Sequence, residues 1–315
     1  STFLKLLRIL KKEKPDLIHT HGKGPGLYGR LLGWMLGIPV VHTFHGFQYK
    51  LLPTIQRWFY LFVENVLTLL TKYHIFVCNG EKNKAKILMF LNDSNSSVVN
   101  NGIDLDAIQA LPLGEEIITS LDLGARESIK IVGTLSRVSP EKGLDTLLEG
   151  FSEAIKTAPY IRLLIIGDCP DEHEKYINTV KQYIHTNGLN KVVKILGPRE
   201  DALEILKSID FYISSSQSEG LPYNLLEALA VGKPLLATDI PGNNDIVRKS
   251  VEGILVPVNI ARTLAHGILA LLELGPEERK AMQQNGEARI RDQFSSSLMT
   301  QKTFSLYKKV LEGSS

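Results

Sequence analysis

The sequence has few of the features that mark membrane-embedded or disulfide-stabilised proteins. It has only two cysteines, Cys78 and Cys169, which lie far apart and match no metal-binding spacing. No apolar run reaches membrane-spanning length without a charge, and the nearest, 51–70, is interrupted by Arg57 and Glu64. These absences favour a reduced, cytoplasmic setting and a chain that does not itself span a membrane.

Neither sign of charge dominates, which excludes the strongly basic class of nucleic-acid-binding domains. The formal net charge is +2 over 315 residues. No basic stripe with interleaved aromatic residues occurs, so we expect no nucleic-acid partner. The charge is nevertheless uneven, because residues 1–110 hold 13 Lys and Arg against 7 Asp and Glu. This basic first half either faces anionic lipid or an anionic acceptor, or is an ordinary solvated surface.

Short apolar runs alternate with helical patterns along most of the sequence. The predicted strands are 16–21, 39–44, 73–78, 97–100, 129–133, 161–167, 191–197, 210–216, 234–239 and 253–257. Such alternation predicts an α/β fold with doubly wound parallel sheets, and ligands beyond the carboxyl ends of the strands. Because 105–127 lacks a sustained strand pattern, we place the linker there. The predicted parts are a first domain at 1–112, a second domain at 113–295, and a C-terminal helix at 296–315 that could pack on the first domain.

For two helical segments of the first half, the sequence does not decide what their apolar side chains contact. In the first, Phe3, Leu6, Leu7 and Leu10 recur at helical spacing, so this amphipathic helix either covers a sheet or touches a membrane. The second, at 54–71, carries the aromatic residues Trp58, Phe59, Tyr60 and Phe62. We expect these in the core, with a membrane-facing patch as the alternative.

The stretch 218–234 joins two predicted strands through one turn and one short helix. Gly220 permits a sharp turn, and Pro222 suits the first helical turn, where its missing N–H costs nothing. The amides of 223–225 would then have no partner inside the helix, which makes the helix start an anion site. Glu219 and Glu227 bracket it, eight positions apart. Either acid alone could simply complement the helix dipole, but together with the amides they suit a ligand that carries phosphate and hydroxyl groups.

This stretch resembles the E-x7-E signature of the retaining glycosyltransferases of family 4, since it runs S-E-G-L-P and then E-A-L-A-x-G-x-P. The resemblance implies a GT-B fold, in which two Rossmann-like domains face each other. It implies transfer of a hexosyl group from a nucleoside diphosphate sugar to an acceptor hydroxyl with retention, in polysaccharide or glycolipid assembly. Because the family lacks a metal-binding Asp-x-Asp motif, we expect no metal and no cofactor.

Two further segments of the second half extend the resemblance. Ser136 to Gly143 resembles the family motif G-R-L-S-P-E-K-G, with Ser136 in place of Gly. Arg137 and Lys142 would neutralise the diphosphate, although a solvated loop is the alternative for two such cations. Gly197 and Arg199 follow another strand, where the family holds the base, and Arg199 either stacks on that base or lies on the surface.

In the first half, Thr43-Phe44-His45 resembles the family's T-F-H, whose histidine faces the sugar. Three more histidines, His19, His21 and His42, lie at strand ends, where packed and hydrogen-bonded side chains are the alternative to a functional role. His19 and His21 have no third metal ligand nearby. The glycine-rich loop 22–26, with Phe47 and Tyr49, would line the acceptor site.

The candidate residues therefore form two sets. The predicted catalytic residues are His45, Arg137, Lys142 and Glu219. The predicted donor-binding residues are Gly197, Arg199, Gly220, Leu221, Tyr223, Asn224, Leu225 and Glu227.

The sequence predicts four strands in the first half and six in the second. The two domains of a GT-B protein are similar in size, so the first half has fewer strands than expected. The resemblance therefore predicts that the first domain lacks its opening strand–helix units. Two other readings stay open: a GT-B nucleotide-sugar epimerase, and a truncated, non-catalytic nucleotide-binding remnant. The expected partners are a nucleotide-sugar donor, a saccharide or lipid-linked acceptor and a peripheral contact with the inner face of the membrane.

Overall fold

The computed structural model describes residues 2–46, 53–89 and 91–313. In these ranges the chain forms two α/β units, each built on a parallel sheet. The first unit holds the described residues up to Asn101 and those from Ser296 onward, and the second runs from Gly102 to Ser295. The predicted fold class, two parallel-sheet α/β domains, is confirmed.

The first unit is a four-stranded sheet in the order β1-β2-β3-β4. Its strands are β1 (Ile18–His21), β2 (Val40–Phe44), β3 (Tyr73–Phe76) and β4 (Ser96–Val98). Its helices are α1 (Thr2–Glu13), α2 (Lys23–Leu36), α3 (Thr54–Leu69), α4 (Asn79–Leu88) and α14 (Ser296–Glu312). Side chains alternate across the sheet. Val41, Tyr73 and Ile75 therefore pack with Val310 of α14, while Phe44 and Phe76 pack with Ala85 of α4.

The glycine-rich segment 22–26 is not the loop that the sequence predicted, because α2 already begins at Lys23. Gly22, with φ 68°, makes the turn after β1. Pro25 then lies in the first turn of the helix, where a proline is tolerated. Phe47 and Tyr49, the other residues assigned to the acceptor site, lie outside the described residues.

Three of the four aromatic residues of α3 are not in the core, which corrects the sequence prediction, and the fourth, Tyr60, is half-buried. Trp58, Phe59 and Phe62 are exposed, whereas Glu64 is buried. The Nη2 of Arg30, on α2, donates a 2.9 Å hydrogen bond to Glu64 Oε2. Because a buried guanidinium needs its carboxylate, Glu64 points inward, and the helical spacing then turns Trp58, Phe59 and Phe62 outward.

No helix within the described ranges combines the length and the apolar character that crossing a bilayer requires. The apolar run 51–70 contributes α3 (Thr54–Leu69), and the buried Glu64 of α3 pairs with Arg30 of α2.

The second unit is a six-stranded sheet in the order β10-β9-β8-β5-β6-β7. Its strands are β5 (Lys130–Leu135), β6 (Ile161–Ile166), β7 (Val193–Gly197), β8 (Phe211–Ser214), β9 (Leu235–Thr238) and β10 (Gly253–Val256). Its helices are α5 (Leu105–Ala110), α6 (Glu115–Ser120), α7 (Leu144–Thr157), α8 (Glu174–Thr186), α9 (Ala202–Ser208), α10 (Tyr223–Ala230), α11 (Asn243–Ile246), α12 (Ala261–Glu273) and α13 (Pro276–Gln293). The strands are continuous apolar runs because helices cover both faces of a parallel sheet.

The division between the units falls after Asn101, eleven residues before the predicted boundary at 112. Residues 102–112 belong to the second unit because α5 packs against α10 and α13. The N–H of Ile103 also donates to Phe294 O at 2.8 Å. The predicted linker thus contains two short helices, α5 and α6.

Candidate functional site

The carboxyl ends of β5 and β8 are the topological switch point of the second sheet. From β5 the sheet continues through β6 and β7 on one side and through β8, β9 and β10 on the other. A crevice opens at such a point because the connections leave it in opposite directions. The segment 136–143 follows β5 and the segment 215–222 follows β8, so both predicted motifs begin at this crevice.

Backbone contacts hold the two motif segments side by side. The N–H of Gln217 donates to Glu141 O at 2.8 Å, and Ser215 Oγ donates to Lys142 O at 2.8 Å. Gly143 adopts the left-handed φ of 62°, and a Cβ there would lie 2.4 Å from Ser215 O. The motif therefore ends in glycine for two reasons, its backbone angle and the approach of the second segment.

We expect Gly143→Ala to lower the free energy of unfolding by about 2 kcal/mol, since it adds both left-handed strain and a backbone clash. Gly188→Ala is the matched control, because Gly188 has φ 66° and nothing within 4 Å of its Cβ position. That control should lose only about 1 kcal/mol. Urea unfolding measures both changes, and equal losses would contradict the close approach of the two segments.

Lys142 and Glu219, 77 positions apart in sequence, form an ion pair at the crevice. Lys142 Nζ donates to Glu219 Oε1 at 2.6 Å, and the two side chains are only 13% and 10% exposed. The sequence assigned these groups to different parts of a ligand, the diphosphate and the sugar hydroxyls. In the structure they bind each other, which holds a cation and an acid ready in one place.

The start of α10 lies beside this pair. The helix begins at Tyr223, and Pro222 is its N-cap residue rather than part of its first turn. In the described part of the chain no side chain caps α10, so its first amides keep their hydrogen-bonding capacity. Asn224 Nδ2 donates to Leu135 O at 2.6 Å, which fixes the helix start at the end of β5.

The two acids of the E-x7-E run both act electrostatically on a buried phenol, that of Tyr212. Burial raises the pKa of Tyr212, and the charges of Glu227 and Glu219 raise this pKa further. Tyr212 donates to Leu135 O at 3.4 Å. Burial also raises the pKa of Glu227 itself. Sequence reasoning missed Tyr212, because an aromatic residue inside an apolar strand indicates only a core position.

Several buried polar atoms collect at the same edge of the sheet. Ser136 Oγ, Asn224 Oδ1 and Asn243 Oδ1 are buried and have no hydrogen-bond partner among the described residues. Native proteins pair almost all such atoms, so this group has the character of a polar ligand pocket. The turn after β9 belongs to it, because a Cβ on Gly242 would lie 2.3 Å from Gly220 O.

The remaining site candidates lie in three places: the turn before α10, the segment after β5 and the end of β7. Leu221 and Leu225 have buried side chains, so only their backbone can face a ligand. Arg137 is 59% exposed and lies 3.8 Å from Glu141 Oε1, a loose pairing. Arg199, after β7, donates two hydrogen bonds to Asp201, at 2.6 and 2.5 Å. Gly197 ends β7 with φ 70° and open space around its Cβ position.

The first unit has its own polar cluster at the ends of β1 and β2. His21 Nδ1 and His45 Nε2 are hydrogen bonded at 2.9 Å. His19 bonds to Tyr307 Oη at 2.5 Å and to Thr43 Oγ1 at 2.7 Å. Burial, with the neighbouring charges of His21 and His45, lowers the pKa of His19 to about 4. Burial also lowers the pKa of His21 and of His45.

These histidines are neutral at neutral pH, so their rings both donate and accept hydrogen bonds, as carbohydrate hydroxyls require. His42, also singled out in the sequence, is buried and bonded through Nδ1 to Thr20 Oγ1 at 2.8 Å. It is a packed residue of the sheet layer.

Carboxylates and histidines do not gather into a metal centre within 2–46, 53–89 and 91–313. The chain does contain an Asp-x-Asp sequence at 104–106. It serves the helix α5: Asp104 Oδ1 accepts from the N–H of Ala107 at 3.0 Å, and Asp106 pairs with Arg291 at 3.1 Å.

Two protein-family models match the chain. The family Glycosyl transferases group 1 matches residues 120–289, which include every donor-site candidate named above. The chain belongs to this family. The family Glycosyltransferase Family 4 matches residues 1–107, most of the first unit.

Two curated relatives illustrate the similarity. The chain is 30% identical over 271 residues to the UDP-Gal:alpha-D-GlcNAc-diphosphoundecaprenol alpha-1,3-galactosyltransferase of Escherichia coli, covering 82% of this chain and 66% of that protein. It is 28% identical over 270 residues to the alpha-monoglucosyldiacylglycerol synthase of Streptococcus pneumoniae, covering 80% and 58%. The chain thus spans less than two thirds of the length of either relative.

Solved structures share the fold. Anabaena HepE, crystallised in complex with UDP and glucose, matches with a TM-score of 0.85 at 21% identity, over 97% of this chain and 80% of that one. Identity at this level establishes the fold alone. The chain has the two parallel-sheet units of the GT-B glycosyltransferases.

Proposed function

We propose that the chain transfers a hexosyl group from a uridine diphosphate sugar to a hydroxyl of a lipid-linked saccharide, with retention of the anomeric configuration. The observation that carries the proposal is the nearly buried Lys142–Glu219 pair beside the uncapped start of α10. The names of the relatives support the substrate classes. One relative is a galactosyltransferase of UDP-Gal and a diphosphoundecaprenol-linked sugar, and HepE was crystallised with UDP and glucose.

Each group has a role that follows from its chemistry. The amides of Tyr223 to Leu225 and the Lys142 ammonium bind the diphosphate. Glu227, whose carboxylate can accept from two neighbouring hydroxyls, binds the ribose. Glu219 gives up part of its pairing with Lys142 and accepts from hydroxyls of the donor sugar. The orphaned oxygens of Ser136 and Asn224 find donors or acceptors on the bound nucleotide.

The transfer step places charge where these groups lie. The bond between the anomeric carbon and the β-phosphate oxygen breaks, and its electron pair stays on the phosphate. The acceptor oxygen forms the new bond on the same face, and its proton passes to the departing phosphate, so the configuration is retained. Lys142 and the α10 amides interact most strongly with the diphosphate once it carries this extra charge, so they lower the barrier.

In this proposal the first unit binds the acceptor. The hydrogen-bonded pair of His21 and His45 offers neutral imidazoles to carbohydrate hydroxyls. No metal has a role, because Lys142, the α10 amides and the exposed Arg137 supply the positive charge.

Calorimetric titration with UDP, GDP and ADP in the presence of EDTA tests donor binding. We expect UDP to bind and the other two to bind at least about tenfold more weakly. Incubation with a UDP-hexose and a lipid-linked saccharide should then yield a glycoside whose anomeric configuration, read by proton NMR, matches that of the donor. A free sugar nucleotide of changed configuration would instead establish an epimerase. Binding without transfer would establish a non-catalytic nucleotide-binding protein.

A further inference from the structure

We propose that the outward face of α3, together with the end of α2, docks on the anionic surface of a lipid bilayer. The face is a stripe of apolar side chains at helical spacing, here called the outer stripe. Its residues and their exposed fractions are Ile55 85%, Trp58 71%, Phe59 70%, Phe62 66%, Val66 42% and Leu69 73%. Soluble proteins rarely leave so many large apolar side chains in water on one face, so the outer stripe requires a partner.

The helix is built with its amphipathic character reversed. Its inner face carries Glu64, in its buried ion pair with Arg30, and the hydroxyl of Thr68, which donates to Glu64 O at 2.8 Å. A helix that only covered a sheet would bury its apolar side chains and expose the polar ones. Here the inner face buries Glu64 and Thr68 together with one apolar residue, Leu67, and the larger set of apolar side chains is held outward.

The surface extends beyond α3. Trp34 and Met35, at the end of α2, are also exposed. Trp34 and Leu69 line the same groove, so the end of α2 continues the outer stripe. The chain has only two tryptophans, and both, Trp34 and Trp58, lie on this surface. Tryptophan prefers the boundary between headgroups and acyl chains, where its ring is half in each phase.

The charges around the outer stripe select the partner. Lys23 Nζ lies 5.1 Å from the centre of the Tyr60 ring on α3, and Lys72 lines the groove at the other end of the helix. Residues 1–72 hold ten Lys and Arg against three Asp and Glu, and one of those three acids, Glu64, is already paired with Arg30. An apolar, tryptophan-bearing face with Lys23 and Lys72 beside it, in a basic part of the sequence, matches anionic headgroups above an acyl core.

The inference deepens the proposed function, on which it rests in one respect: a lipid-linked acceptor would lie in the same bilayer. It commits to lipid rather than to a protein partner because the surface combines interfacial tryptophans with a one-sided charge.

Vesicle flotation of the full chain tests the proposal, with phosphatidylcholine vesicles made with and without phosphatidylglycerol. We expect binding to the anionic vesicles, and a blue shift of tryptophan fluorescence when they are added. The double variant Phe59→Ser/Phe62→Ser should bind them at least about tenfold more weakly, because binding scales with the apolar area inserted. Phe304→Ser, on α14, is the matched control, since Phe304 is exposed to a similar degree outside the outer stripe.

Circular dichroism shows whether the double variant keeps its fold, and calorimetric binding of UDP reports the second unit separately. Wild-type chain that neither floats nor shifts its fluorescence would overturn the proposal, as would equal binding by the double variant. A concentration-dependent dimer that the double variant abolishes, without vesicle binding, would assign the surface to a second copy. Vesicle binding without any UDP binding would refute the proposed function and leave the docking surface standing.

Discussion

Lys142→Ala should reduce kcat by about 10²–10³, the effect of removing one group that stabilises a developing charge. The ammonium of Lys142 lies at the crevice at the end of β5, 2.6 Å from Glu219. Replacing Lys142 by alanine removes a positive charge that would stabilise the departing diphosphate. It also leaves the Glu219 carboxylate, only 10% exposed, without its cation. The second effect disfavours the anion further, because a nearly buried carboxylate then repels the diphosphate.

Steady-state rates at saturating donor measure this change, and urea unfolding separates it from any loss of stability. Lys156→Ala is the control, because Lys156 is an exposed lysine at the end of α7. The double variant Lys142→Ala/Glu219→Ala should lose less than the two single losses combined, since the partners are in contact. Wild-type turnover in Lys142→Ala would remove Lys142 from the proposed mechanism.

Glu227→Leu should weaken binding of the UDP-sugar by about a hundredfold while making the folded chain more stable at neutral pH. The binding loss corresponds to two charge-assisted hydrogen bonds from the ribose, each worth about 1.5 kcal/mol. The gain in stability follows from burial, which raises the pKa of Glu227 above its ordinary value of 4.5. An acid whose pKa is raised by burial disfavours folding at neutral pH, because the unfolded chain keeps the carboxylate in water.

The pH dependence of this second effect has a definite sign. Below the ordinary pKa of 4.5 the carboxyl group is protonated in both states and costs the fold nothing. As the pH rises through the raised pKa, the folded wild type loses stability and Glu227→Leu does not. Unfolding curves of the two chains should therefore diverge as the pH increases from about 4.5. The exposed Glu153 on α7 provides the control, Glu153→Leu, for which no divergence is expected. Curves that converge with rising pH would contradict the desolvation of Glu227.

The parts of the fold and site that could be predicted from sequence are those encoded by neighbouring residues. The strands of the second sheet are continuous apolar runs, and the start of α10 follows from a glycine, a proline and an apolar helix in direct succession. Glu219 and Glu227 flank that start because the chain places them eight positions apart. The order of strands then brings the 136–143 segment to the same edge.

The features that could not be predicted depend on contacts between distant residues. Nothing near Lys142 in sequence indicates that its ammonium pairs with Glu219. The aromatic residues of α3 suggested a core helix. The buried ion pair that turns Glu64 inward could not be predicted, because its partner, Arg30, lies 34 positions earlier in the sequence. The domain boundary was misplaced for the same reason, since α5 is assigned to the second unit only by its packing on α10 and α13.

The return of α14 to the first sheet has a consequence for vectorial synthesis. Val310 of α14 completes the core over Val41, Tyr73 and Ile75, so this layer of the first unit cannot close until residue 310 has left the ribosome. The second unit is continuous from Gly102 to Ser295 and can close while translation is still under way. The second unit can therefore complete its folding before the first, although domains usually fold in order from the N-terminus. Until α14 has been synthesised, the apolar side chains of Val41, Tyr73 and Ile75 lack the covering layer that α14 provides.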